Sequence, residues 1–266
     1  MLIIGEKINS SRKNIQEMVE SKNKEFIQEL ARKQVEGGAQ MLDLNIGTIR
    51  KNEPENMKWL VKIVQEAVDV PLCVDSPNPE AIKQGLAVYD WNKGKALINS
   101  VTIERERLEL ILPLVKKYQC SVVALTMDEQ GIPPDSKKRF KIAEELIKKL
   151  TGEGFLAEDI YIDPLTLPVS TNIHNSNIAL KTLRRIKDSY PEVKTIIGLS
   201  NISYGLPERS LINQAFVVLA MACGLEAAIL DSTDQKIMSL IKATELLLGK
   251  DEFCKQYLQA FREGRI

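Results

Sequence analysis

The feature that most constrains this chain is a recurrence. Eight short apolar runs rich in branched residues alternate with stretches of helical spacing. The runs are Leu2–Ile4, Met41–Ile46, Leu72–Asp75, Ala96–Asn99, Ser121–Thr126, Ile160–Asp163, Thr195–Leu199 and Ala227–Leu230. Between them lie amphipathic segments at Lys24–Glu36, Glu55–Val68, Glu104–Lys117, Ser136–Leu150 and Asn175–Ser189, and Asp251–Arg262 reads as a last helix covering the sheet. In Glu104–Lys117, for example, Leu108, Ile111, Leu112 and Val115 fall on one helical face. Continuously apolar strands that alternate with helices predict a parallel sheet buried on both sides.

Eight such units in 266 residues fit one closed (β/α)8 barrel, an α/β TIM barrel spanning residues 1–266 as a single domain. The structural alternative is an open doubly wound sheet. That fold binds nucleotides through a glycine-rich first turn, and the residues after the first strand, GEKINSS, do not form one. Lys plus Arg and Asp plus Glu both number 36, and aromatics make up 5% of the chain. Neither a charge field nor a stacking surface for nucleic acid is expected. The opening MLIIGEKIN is too short an apolar run for a signal peptide, and Ala215–Leu225 is too short to span a bilayer. The four cysteines are widely spaced with no CxxC pair. Together these features predict a cytoplasmic protein without disulfides or membrane partners.

In a parallel barrel every strand ends on the same face, and the active site lies there. The residues at or just beyond the strand ends are Glu6 and Asn9, Asp43 and Asn45, Asp75 and Ser76, Asn99 and Ser100, Thr126 and Asp128, Asp163, Ser200 and Asn201, and Asp231 and Ser232. This mouth is rich in Asp and Asn. It lacks the His and Cys of a zinc site and a lysine placed for Schiff-base chemistry, and Lys7 is its nearest cation. Carboxylates and amides suit a flat heterocycle with an aminopyrimidinone edge, because a carboxylate takes two N–H donors and an amide both gives and takes. The same oxygens would satisfy Mg2+ or Ca2+, which makes a metal-dependent hydrolase a competing reading.

Each candidate also has a plainer explanation. Asp75 could cap a helix beginning near Pro79, although Ser76 and Asn78 offer alternative caps. Asp163 precedes Pro164 and could form a turn. Asp43 and Asn45 could form a structural polar layer inside the barrel. Asp231 could cap a helix together with Asp234. The sole histidine, His174, reads as a surface residue in a polar loop, Met221 and Cys223 read as core, and Lys137-Lys138-Arg139 reads as a solvated helix face.

The segments LIIGEKIN, GGAQMLDLNIG, LCVDS, ALINS, LTMDEQGIPPDS, DIYIDPLTLP, TIIGLSNIS and LINQAFVVLAMACGLEAAILD, in this order along the chain, resemble the methyltetrahydrofolate:corrinoid methyltransferases. The resemblance runs from Leu2 to beyond Asp231. It implies a pterin-binding barrel related to the folate domain of cobalamin-dependent methionine synthase and to dihydropteroate synthase. It implies that Asp75, Asn99 and Asp163 hold the pterin, that Asn201 is the catalytic amide near N5, and that Gly198 and Ser200 line the pocket. Glu6 and Asp43 are further candidates in the same mouth.

The implied substrate is tetrahydrofolate or its 5-methyl form. The implied cofactor is a corrinoid (cobalamin) carried by a partner corrinoid protein, with no metal bound by this chain. The implied assembly is a homodimer, working in the acetyl-CoA pathway or in an O-demethylase system. The loop SSRKN and the stretch Tyr204–Arg209 depart from acetogen members of the family where a partner would dock, which leaves partner and direction open. A dihydropteroate synthase-like enzyme is the alternative, but it calls for cations at the last two strand ends, and these read GLSNIS and LDSTD. A folate-binding subunit without turnover is the non-enzymatic alternative.

Overall fold

The computed structural model describes residues 1–49 and 51–266. Eight parallel strands close into a barrel in sequence order, β1 to β8. The elements are β1 (Leu2–Asn9), α1 (Lys13–Glu20), α2 (Lys24–Glu36), β2 (Met41–Asn45), α3 (Glu53–Gln65), β3 (Leu72–Asp75), α4 (Pro79–Ala87), β4 (Leu97–Val101), α5 (Arg105–Tyr118), β5 (Ser121–Leu125), α6 (Ser136–Gly152), β6 (Ile160–Asp163), α7 (Asn175–Ser189), β7 (Lys194–Gly198), α8 (Arg209–Ala222), β8 (Ala227–Leu230), α9 (Gln235–Leu247) and α10 (Lys255–Arg262). All eight expected strands form. The shift at β1 is the largest: it continues through Asn9 with an irregularity between Gly5 and Ile8, so Glu6 and Lys7 belong to the strand.

Alternation sets the two faces of each strand. One face points outward. Leu42, Leu44, Val74, Ile98, Val122 and Ile162 pack there against the helices, and Ile197, Ala228 and Leu230 do so on the far side. The other face fills the barrel. Ile4, Met41, Cys73, Leu97, Val123, Tyr161, Ile196 and Ala227 form one buried cluster, one residue from each strand. Burying each large aliphatic side chain contributes about 1.5–3 kcal/mol, and this cluster plugs the lower barrel.

Two residues further along the same inward face, the chemistry changes. Met41 is followed by Asp43, Cys73 by Asp75, Leu97 by Asn99, Tyr161 by Asp163 and Ile196 by Gly198. Register sets two levels: Asp43 pairs with Cys73 one layer down, while Asn45 pairs with Asp75, Asp75 with Asn99, and Leu125 with Asp163. The period of two therefore carries polar groups of β2, β3, β4 and β6 to the C-terminal opening, while Leu125 and Ile229 keep β5 and β8 apolar there.

Three expectations are corrected. Arg139 is fully buried, so Lys137-Lys138-Arg139 is not a solvated face throughout. It lies in register with Ile142, Ala143, Leu146, Ile147 and Leu150 on the inner stripe of α6. The last helix does not cover the barrel: α10 packs on α9 and buries only Ala260. Cys223 caps the C-terminal end of α8 and is half-buried, whereas Met221 is core. Among the described residues no helix is long and apolar enough to cross a membrane, and no group of three or more His, Cys, Asp or Glu is placed to hold a metal ion.

Candidate active site

Asp75 ends β3 half-exposed to the mouth. Its Oδ2 accepts from the Asn45 Nδ2 at 2.7 Å and from the Asn99 Nδ2 at 3.2 Å. Two neighbouring strands thus fix one carboxylate oxygen and leave the other turned to the opening. Asp75 is not needed as a cap, because Asn78 caps α4 through the Glu80 N–H and Ser76 accepts from the Asn78 N–H. Burial pushes the Asp75 carboxyl up to about 7, opposed by the Asn45 amide and the Arg107 guanidinium. A cleft of about 370 Å3 opens beside Asp75, Asn99 and Arg107.

Asp163 ends β6 in the same layer. Its Oδ1 accepts from the Leu165 N–H at 2.7 Å, so the turn role read from its place before proline is real. That bond uses one oxygen and leaves the second for a ligand. Burial also pushes this carboxyl up to about 7, opposed by the Leu165 N–H and by Arg139. Leu165 itself has φ +62°, a conformation that costs a branched side chain about 1 kcal/mol or more.

Asp43 lies lower in the barrel and is buried, and its Oδ1 has no hydrogen-bond partner. Burial first, and then the charge of Asp75, hold its carboxyl well above the ordinary range, opposed by the Cys73 thiol. An orphaned polar atom at such a depth costs about 1–3 kcal/mol. Asn45, by contrast, is tied to Asp75 and to the Gly47 N–H. Of the two, Asp43 is the one left unsatisfied.

The opposite side of the mouth is built from β1, β7 and β8. Glu6 accepts from both the Ser200 hydroxyl, at 2.7 Å to Oε2, and Arg12, at 3.0 Å. Burial raises its carboxyl above the usual range despite these two partners. Lys7 pairs with Asp231 at 3.0 Å. Asp231 also accepts from the Thr233 N–H and hydroxyl, and with Lys7 these outweigh burial and hold its carboxyl low. Asp234, not Asp231, caps α9. Asn201 closes the 3-10 turn Leu199–Asn201 and is exposed on the rim. A Cβ at Gly198 would lie 2.9 Å from the Asn201 Nδ2, so glycine at the end of β7 leaves room for that amide beside it. Arg209 fixes the same turn by donating to the Ser200 carbonyl and the Ser203 hydroxyl. His174 is exposed at the start of α7.

The structure therefore brings Glu6, Asp43, Asp75, Asn99, Asp163, Gly198, Ser200 and Asn201 to one opening. Reading the sequence missed Arg107 and Arg139, which stand beside Asp75 and Asp163. Arg139 had a signal, its place on the apolar stripe of α6. For Arg107 only its nearness to a strand end could have served.

The arrangement suits a neutral, flat, N–H-rich ligand. Asp75 and Asp163 are half-buried, raised in pKa and each left with one oxygen that no protein donor reaches, so N–H groups that replace water satisfy them. Comparison with known proteins points the same way. Residues 5–231 match the family described as pterin binding enzyme. The chain is 38% identical over its full length, and 98% of the relative's, to a methylcorrinoid:tetrahydrofolate methyltransferase of Eubacterium limosum. It is 30% identical to methionine synthase of Mycobacterium tuberculosis, matching 92% of this chain but about a fifth (21%) of that longer protein. Among solved structures, dihydropteroate synthase of Yersinia pestis with a pterine-sulfa conjugate superposes with a TM-score of 0.67 at 16% identity, covering 93% of this chain and 94% of that one. At that identity it speaks for the fold alone. A family match over most of the chain, a full-length relative and this ring of strand-end residues agree, and the protein belongs to the pterin-binding enzyme family.

Proposed function

We propose that this protein transfers a methyl group between N5 of tetrahydrofolate and the cobalt of a corrinoid carried by a partner protein, working as one barrel domain over residues 1–266. The observation that carries this reading is the pairing, across one opening, of two half-buried carboxylates, each with an oxygen free of protein donors, with an exposed amide: Asp75 and Asp163 against Asn201. The full-length relative named for the same chemistry supports it.

Asp75, Asp163 and Asn99 hold the pterin by its N–H groups and fix the ring plane. Asp43 beneath them has an acceptor free for a ligand or a water. Gly198 and Ser200 shape the wall, and Glu6 holds the Ser200 hydroxyl. The methyl group sits on a tertiary amine, and an amide-like anion is a very poor leaving group. A proton taken up from solvent at N5 lets the amine leave neutral, and the Asn201 amide oxygen accepts the hydrogen bond of the protonated N5. In the reverse direction the same contact steadies N5 as it gains the methyl. The corrinoid supplies the cobalt centre that gives or takes the methyl group. The chain contributes orientation and stabilisation of shifting charge rather than a covalent nucleophile.

The partner is a corrinoid protein that docks over the exposed rim near Asn201 and Tyr204. The enzyme works in the cytoplasm, in acetyl-CoA synthesis or O-demethylation, as a homodimer. The exposed Leu211 and Leu219 on one side of α8 offer an apolar face for that assembly. A dihydropteroate synthase activity is disfavoured because Lys7 is spent on Asp231 and Arg209 on a backbone carbonyl.

Methyl transfer from methyltetrahydrofolate to free cob(I)alamin, followed by the absorbance change as cobalt(I) becomes methylcobalt(III), tests the reading. Turnover establishes the reaction. Folate binding without turnover, even with a corrinoid protein supplied, leaves a binding subunit. Neither binding nor turnover sinks the pterin reading.

A further inference from the structure

Two arginines outside the ligand-facing ring share one arrangement. Arg107, in the first turn of α5, donates to the carbonyls of Ser76 at 2.8 Å, of Pro77, and of Ser100 at 2.9 Å. Those carbonyls directly follow Asp75 on β3 and Asn99 on β4. Arg139, in the first turn of α6, donates to the carbonyls of Pro133 at 2.8 Å, Pro164 at 2.7 Å and Leu165 at 2.6 Å. Pro133 lies in the loop after β5, and Pro164 and Leu165 directly follow Asp163 on β6. Each guanidinium thus joins two neighbouring strand ends, and one of the two carries a candidate pterin carboxylate.

We infer that Arg107 and Arg139 are positioning residues for pterin recognition, each clamping the backbone of adjacent strand-end loops so that Asp75 and Asp163 keep a fixed separation and aim. The inference rests on the proposed function and adds residues that the ligand itself does not touch.

Three observations support it. First, neither guanidinium has a carboxylate as its hydrogen-bond partner. Arg139 is fully buried with its Nη2 unpartnered. A buried charge hydrogen-bonded only to carbonyls, with Asp163 near but not bonded to it, is costly for the fold alone. Second, the planar five-donor fork of arginine reaches carbonyls on two loops at once, which a lysine ammonium on a flexible stem does not reproduce. Third, Leu165 is held at φ +62° between the Asp163 carboxylate, which takes its N–H, and Arg139, which binds its carbonyl. The strained residue, the carboxylate and the arginine form one unit, and strain of this kind persists only where its surroundings fix it. Each cation also favours the ionised form of its neighbouring carboxylate. The clamp therefore acts on both the place and the charge of the recognition groups.

The test is binding of methyltetrahydrofolate to the full chain, by calorimetry between about pH 5.5 and 8.5, for the wild type and for Arg107→Gln, Arg107→Lys, Arg139→Gln and Arg139→Lys. The glutamine variants should bind about tenfold or more weakly, and the acid limb of their binding profile should move to higher pH as the cation is lost. The lysine variants should keep the wild-type acid limb and recover only part of the affinity. Thermal unfolding that falls while affinity and acid limb match the wild type would reduce both arginines to supports of the fold and overturn the inference. Should Arg139→Gln fail to fold, the half-buried Arg107 pair carries the same comparison. Wild-type protein that binds no folate at any pH would sink the proposed function, whereas wild-type binding with unaltered variants sinks only the inference.

Discussion

The two ends of the barrel hold charge in opposite ways. At the floor, a cavity of about 560 Å3 opens between the segments that precede β4, β5 and β6. It is larger than the cleft beside Asp75, yet its charges are matched: Lys95 pairs with Asp159 at 2.8 Å and Lys116 with Glu153 at 2.6 Å. Asp159 also accepts from the Ser121 hydroxyl, and Trp91 stacks on Tyr118 with ring centroids 5.5 Å apart. At the mouth, Asp43 is buried with an oxygen unpartnered, Asp75 and Asp163 are half-buried with one oxygen each left to the opening, and all three carboxyls are pushed up. A floor whose charges are satisfied has nothing to gain from a ligand. The mouth stays unsatisfied until one arrives, so size is a poorer guide to the site than unmet hydrogen bonding.

Four measurements would break or sharpen that contrast. The largest effect is expected at the rim. Asn201→Ala should lower the rate of methyl transfer about a hundred- to a thousandfold, the order for one well-placed hydrogen bond, with a far smaller change in folate affinity. Equal losses in rate and binding would mean that Asn201 only holds the ground state. Next, Asp163→Asn should weaken methyltetrahydrofolate binding by more than about 1 kcal/mol, roughly fivefold, through lost charge-assisted bonds. An unchanged dissociation constant would remove Asp163 from the pocket.

Third comes the pH dependence of the empty protein. Asp75 and Asp163 rise from 3.8 in the unfolded chain to about 7 in the folded one. The folded state therefore holds more protons between these values. The two groups contribute no penalty below about pH 4, and they destabilise the fold progressively as pH rises through 7. Melting temperature should be higher at mildly acid pH than at pH 8, with about 1 kcal/mol corresponding to about 2–4 °C, and Asp163→Asn should flatten the slope. Folate binding should run the other way and strengthen as the carboxylates ionise. Parallel trends in stability and binding would show that these groups are not the ones titrating. The smallest effect belongs to the floor: Lys116→Ala should shift stability by no more than about 1 kcal/mol and leave methyl transfer unchanged. A loss of turnover there would erase the distinction between the ends.

The architecture was legible because it rests on local patterns. Eight apolar runs fix eight strands, and the residues that end them fix the composition of the mouth. Asp75, Asn99 and Asp163 were placed in the mouth because strand ends converge by topology, and the family resemblance singled them out from the other strand-end residues. What the chain did not reveal was which polar groups satisfy one another. Asn45 binding Asp75, Lys7 binding Asp231 and Ser200 binding Glu6 are pairings across strands, and Glu6 and Ser200 stand 194 positions apart. Arg139 was misread for another reason. Flanked by lysines, it looks solvated by composition, while its helical phase with Ile142 and Leu146 places it inside. Phase was the better guide. Arg107 gave no such sign, because its role depends on two loops folding over the start of α5.

The alternation that lifts the polar ring above the apolar plug has a consequence for how such a protein can change. Removing one residue from Ile160–Asp163 would turn Asp163 toward the helices and bring its neighbour into the barrel, because strand phase has only two settings. Insertions and deletions within the strands must therefore be absorbed locally, as the irregularity between Gly5 and Ile8 is, while the loops beyond them remain free to lengthen, shorten or change sequence. Descendants of one barrel can remodel the rim around Tyr204 without disturbing the strand ends that carry Asp75 and Asp163, and change at the rim is separated from change in the barrel mouth.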